Sequence, residues 1–206
     1  MPRPKQRTPE LRGRVLDAAV SALAGEGIAA FTTRRVAAAA GTSIPAVYEL
    51  FGDRAGLLRE VFFEGFRRLG ARFAAIADSD DPRSDLGRVV AVFRAFVQEQ
   101  PVLAELMFSR PFSDFDPVAE ELEAGATVRR CIVGHVERCV RAGILAGDAT
   151  DIAHVLVAVA QGLAAQETAG FLGSGRESRD RRWALAFRLV LDGASVPALP
   201  RGPSVR

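Results

Sequence analysis

The residues able to do chemistry in this chain are few. Two histidines (His135, His154), two cysteines (Cys131, Cys139), one tyrosine (Tyr48) and one tryptophan (Trp183) are spread over 206 residues. Cys131, His135 and Cys139 follow one another at intervals of four, which suggests a metal site. On a helix, however, the two thiolates would stand about 12 Å apart along the axis, too far to share one zinc at about 2.3 Å. The same positions extend a core stripe through Val128, Ile132, Val136 and Val140, with Arg129, Arg130, Glu137, Arg138 and Arg141 around it. No metal and no cofactor is expected. The sequence also has no Gly-rich phosphate loop, no His-Glu zinc motif and no nucleophile elbow, so an enzyme is not expected either.

A different chemistry gathers in TTRRVAAAAGTSIPAVYELFGDRAGLL, residues 32–58. Thr32 can cap a helix whose inner face is Val36, Ala37 and Ala40, small residues that let a second helix approach closely. Gly41 provides a permissive backbone for a tight turn, Ser43 can cap the next helix, and Pro45 fits its first turn. That second helix is barely two turns long. Two short helices joined by a Gly-containing turn define a helix-turn-helix, whose second helix fits a major groove about 12 Å wide.

This run resembles the N-terminal signature of the TetR family of transcriptional regulators. The matching residues are Thr32, Val36-Ala37, Ala40-Gly41, Ser43, Val47-Tyr48, Phe51, Arg54 and Leu57. The resemblance implies phosphate contacts from Tyr48 and Arg54, with hydroxyl or backbone N–H contacts from Thr33 and Ser43. It assigns base reading to Thr42, Ile44, Pro45 and Ala46, an edge suited to thymine methyl groups, with a basic arm of Arg3, Lys5 and Arg7 beside it. Leu50 stands where the family often has His, and the acid Glu49 precedes it.

Helical periodicity runs through nearly the whole chain, and no alternating strand or Asn-Gly hairpin is found. The expected class is all-α, with about nine helices. The expected organisation is a flexible basic arm (1–9), a helix-turn-helix domain (10–53), a helical effector-binding and dimerisation domain (54–196) and a flexible tail (197–206). Charge follows this plan. Residues 1–59 carry nine Lys and Arg against five Asp and Glu, and residues 60–206 carry 18 against 20, so the basic excess lies at the end expected to meet a polyanion. The longest nearly apolar stretch, 152–165, falls short of the roughly 20 residues that span a bilayer. With no signal-peptide pattern and two cysteines, a reducing cytoplasm is the expected location, without a membrane partner.

A two-turn reading helix alone supplies too little affinity, so a homodimer on double-stranded operator DNA is expected. By resemblance the last two helices make that interface, the final one through a stripe of Trp183, Phe187, Val190 and Leu191. Thirteen phenylalanines point to a small apolar or aromatic effector. Its candidate contacts are Phe66, Phe96, Met107, Phe108, Phe112, His135, Gln161 and Gln166. The expected function is thus a ligand-responsive regulator, a repressor released by its effector. The alternative is a helical small-molecule-binding protein, or a DNA-binding module without repressor function.

Overall fold

The computed structural model describes residues 8–108 and 119–195; Arg3, Lys5, Arg7 and Phe112 lie outside them. Among the described residues the chain forms nine helices and no strand: α1 (Pro9–Ala30), α2 (Thr33–Ala39), α3 (Ile44–Phe51), α4 (Arg54–Ala74), α5 (Pro82–Glu99), α6 (Pro101–Phe108), α7 (Ala119–Arg141), α8 (Ala149–Thr168) and α9 (Arg176–Gly193). The one departure from helix and loop is an antiparallel bridge between Leu145 and Ser195. The all-α expectation holds. Near its end α1 is kinked at Gly27, whose left-handed backbone (φ 72°) departs from the helix.

The described residues pack as two compact units, Met1–Ala74 with Ala95–Val128, and Ala75–Arg94 with Arg129–Arg206. In the first, α1 packs on α2, α4 and α6, and α3 packs on α2 and α4. Val15, Leu23, Val36, Val47, Leu57 and Val61 are buried in this unit, each apolar side chain contributing about 1.5–3 kcal/mol by leaving water. Gly65 lets α6 come close to α4, since a Cβ there would run into the Met107 side chain. Charge ties α1 to α4. Glu60 accepts from Arg12 at 2.6 Å and Arg67 at 2.7 Å, and Arg68 reaches Asp17 at 2.6 Å.

In the second unit Leu86, Val136, Cys139, Leu145, Ala153, Leu156 and Leu191 form the core. Two polar clusters brace it. Arg94 grips Glu167 through two bonds of 2.9 and 2.7 Å, while Trp183 Nε1 donates to Glu167 at 2.7 Å, so that α5, α8 and α9 meet at one carboxylate. Asp85, fully buried, accepts from the Ser79 N–H at 2.8 Å, from the Ser79 hydroxyl at 2.5 Å, and from Arg138 at 2.6 Å, with Arg88 also on it. The Ser79 and Arg138 hydrogen bonds, together with the Arg88 charge, hold the Asp85 carboxyl well below the usual carboxylate range despite burial.

Candidate nucleic-acid interface

The helix-turn-helix is assembled by its own capping groups. The Thr32 hydroxyl accepts from the Arg35 N–H at 3.4 Å and opens α2. At the other end Gly41 adopts φ 64°, and its N–H and that of Thr42 return to the carbonyls of Ala38 and Ala37 at 3.2 and 2.9 Å. These bonds satisfy carbonyls that the end of a helix leaves unpaired. Ser43 then caps α3 by accepting from the Ala46 N–H at 3.3 Å, which leaves its own O–H proton able to donate. Val47, fully buried, is the side chain through which this short helix joins the core.

The residues expected at DNA separate by exposure. Ser43, Pro45 and Tyr48 are exposed, Tyr48 at 45%, while Thr42, Ile44 and Ala46 are half-buried along the same edge. Thr33 differs: its side chain is buried at 6%, so a contact from that position falls to the backbone N–H. Arg54 is exposed at the start of α4, and its Nε donates to the Phe31 carbonyl at 3.1 Å, with the guanidinium 5.8 Å over the Phe31 ring. It therefore fixes the entry to α2 as well as presenting a charge.

Two groups here escaped the reading of the sequence. Gly56 lies where a Cβ would overlap the Phe51 carbonyl oxygen and come 3.3 Å from its carbon, so α4 starts hard against the end of α3. Asp53 locks that start by accepting from the Gly56 N–H at 2.7 Å. Arg34 is an exposed cation in the first turn of α2. The basic pair in TTRR was its signal, had charge on the first helix of the motif been weighed.

Two family models match this chain. The model of "Bacterial regulatory proteins, tetR family" covers residues 15–61, and that of "Tetracyclin repressor-like, C-terminal domain" covers 86–190. The chain belongs to the TetR family. TetR proteins are DNA-binding transcriptional regulators rather than enzymes, and this chain is such a regulator. Its fold is similar to that of a protein of unknown function from Rhodococcus sp. RHA1 (TM-score 0.78, 25% identity, covering 93% of this chain and 98% of that one). It is also similar to a tetR-family regulatory protein from the same organism (TM-score 0.67, 21% identity, 89% and 98%). A third likeness is to the fatty acid degradation regulator FadR from Bacillus halodurans (TM-score 0.70, 15% identity, 88% and 98%). No curated protein matches.

In this TetR-family chain the effector candidates fall into both units. Phe66 and Phe108 meet edge to face, ring centroids 6.2 Å apart, in the unit that also holds fully buried Phe96 and buried Met107. His135, Gln161 and Gln166 belong to the other unit; His135 is buried, Gln161 half-buried and Gln166 exposed. The stripe expected to meet a second subunit is corrected by the packing. Leu191 is fully buried, Trp183 is 5% exposed, and Phe187 and Val190 pack against the core of their own unit. The apolar side chains left outward on the last two helices are instead Val155, Leu185 and Leu189, at 53, 43 and 62% exposure. Among the described residues no group of His, Cys, Asp and Glu could hold a metal, and no helix is long and apolar enough to cross a membrane.

Proposed function

We propose that this TetR-family regulator is a homodimeric repressor that binds an inverted-repeat operator and leaves it when a small apolar or aromatic effector binds. The observation that carries the reading is the doubly capped α2–turn–α3 unit, which turns Ser43, Pro45 and Tyr48 outward on one edge. On this reading Tyr48, Ser43 and Arg54 hold backbone phosphates, with the backbone N–H of Thr33 beside them. Thr42, Ile44, Pro45 and Ala46 then contact base edges through apolar surface, chiefly thymine methyls, and the arm of Arg3, Lys5 and Arg7 adds charge.

Val155, Leu185 and Leu189 support a dimer through α8 and α9, because exposed apolar side chains sharing two helices gain most from being covered by a second copy. The aromatic contact of Phe66 with Phe108 supports an apolar or aromatic effector, with Phe96 and Met107 of the same unit as further candidate contacts. Selection of preferred duplexes from a random pool tests the whole. The expected product is an inverted repeat with half-site centres about 34–36 Å apart or a multiple of that. Recovery of single, unpaired half-sites would remove the dimeric reading.

A further inference from the structure

Of the eight residues of α3 only Val47 is buried, so the core grips this short helix at a single point. A helix pinned once can tilt about its pin. At about 1.5 Å of rise per residue, Phe51 stands about 6 Å beyond Val47 and Pro45 about 3 Å before it, so a tilt that moves one end also moves the other. At the far end Gly56 of α4 abuts the Phe51 carbonyl and limits movement toward α4. Movement away is opposed through the Phe51 side chain. The Arg12 guanidinium of α1 lies 5.0 Å over the Phe51 ring, within reach of a cation–ring attraction. Arg12 is itself fixed from α4, since its Nη2 donates to Glu60 Oε2 at 2.6 Å while Arg67 donates to Oε1 at 2.7 Å. Burial opposes the charge on Glu60, but the bonds from Arg12 and Arg67 outweigh it and keep the carboxyl below its ordinary pKa. The alternating charges continue from Arg67 to Glu64, Arg68 and finally Asp17, back on α1.

We infer that Arg12 is a positioning residue for the DNA-contacting helix, holding the end of α3 through the Phe51 ring while anchored to α4 at Glu60. Its guanidinium acts on DNA only through that ring. A phosphate would have to compete for it with the Glu60 carboxylate, so the Arg12 charge is directed into the protein and not toward the duplex. The consequence for sequence discrimination rests on the base contacts proposed above for α3, while the clamp itself does not.

Two measurements on full-length Arg12→Gln test the inference, the first without DNA. Amide hydrogen exchange over residues 47–52 should quicken about two- to fivefold, the worth of one exposed cation–ring contact, while exchange in α2 stays as in wild type. Unchanged exchange in α3, or an equal rise in α2 and α3, would overturn the clamp. The second measurement compares affinity for the selected duplex with that for a scrambled duplex of the same length, each against salt. Affinity for the selected duplex should fall by the same two- to fivefold factor, and the scrambled duplex should keep both its affinity and its salt slope. Equal weakening on both duplexes with a shallower slope would make Arg12 a phosphate contact and remove the positioning role. Because Arg12 acts through the ring, Arg12→Gln combined with Phe51→Leu should lose no more discrimination than Phe51→Leu alone, and additive losses would refute the route through Phe51. If α3 loosens but discrimination is unchanged, the clamp stands and base reading by α3 falls. If α3 exchange is unchanged while the selected duplex is still preferred, base reading stands and the clamp falls.

Discussion

Replacing Gly56 with alanine tests how α3 is held. The new methyl would overlap the Phe51 carbonyl oxygen and sit 3.3 Å from its carbon, both backbone atoms that cannot swing aside. α4 cannot retreat cheaply either, because the Gly56 N–H is tied to Asp53 at 2.7 Å. Overpacking against a backbone costs about 3 kcal/mol at the upper end of its range, and a loosened cap adds about 1. Alanine returns about 1 kcal/mol through helix propensity, so the net loss is about 3. For a chain of this length each kcal/mol lowers Tm by about 2–4 °C, giving a drop of roughly 6–12 °C. Gly13→Ala is the matched control. Gly13 is exposed on α1 with nothing within 4 Å of an added Cβ, so there the propensity gain should act alone and raise Tm. Differential scanning calorimetry of both variants decides the matter. A Gly56→Ala protein as stable as wild type would refute the close approach of α4 to the end of α3. Below its transition the variant should also bind the selected duplex more weakly, since Phe51 is the last residue of α3.

Three further outcomes are expected. Tyr48→Phe should leave stability within about 0.5 kcal/mol, because the side chain is 45% exposed. It should weaken DNA binding about tenfold or more without changing the slope of affinity against salt, since a neutral hydroxyl releases no counterion; an altered preferred sequence in the same assay would take Tyr48 off the backbone. Leu189→Glu should give a folded monomer in analytical ultracentrifugation, as this side chain is 62% exposed within one chain, and a persistent dimer would move the interface away from this face of α9. Asp85 is held below its ordinary pKa in the folded state, so its contribution is full above about pH 4 and is lost as pH falls from there. Urea melts from neutral pH down to about pH 3 should show that loss in wild type and a shallower one in Asp85→Asn.

Local signals carried the front of the molecule. Thr32, Gly41 and Ser43 act within three or four residues of themselves. Choices between equivalent local patterns were not legible. In α9 the spacing of Trp183, Phe187, Val190 and Leu191 makes an apolar stripe, and so does that of Leu185 and Leu189; only the core formed with α5, α7 and α8 decides which turns inward. Thr33 is chemically like the capping Thr32 beside it, yet its side chain is buried and not offered to DNA. Gly13 and Gly56 look equally helical in sequence, and only the second is pressed against another helix. The bond from Arg54 to the Phe31 carbonyl spans 23 positions and leaves no periodic trace.

The packing of α1 on α4 and α6 bears on how this regulator can be taken apart. A fragment ending at residue 53 would keep every residue expected to face DNA, but it would lose Leu57 and Val61 of α4 and Leu103 of α6, all buried at 1% exposure or less. An eight-residue α3 has too few turns to persist by propensity alone. The reading head is therefore not a detachable cassette. A chimera that gives this chain another specificity has to exchange side chains on the outer edge of α3, or carry α4 and α6 along with the graft.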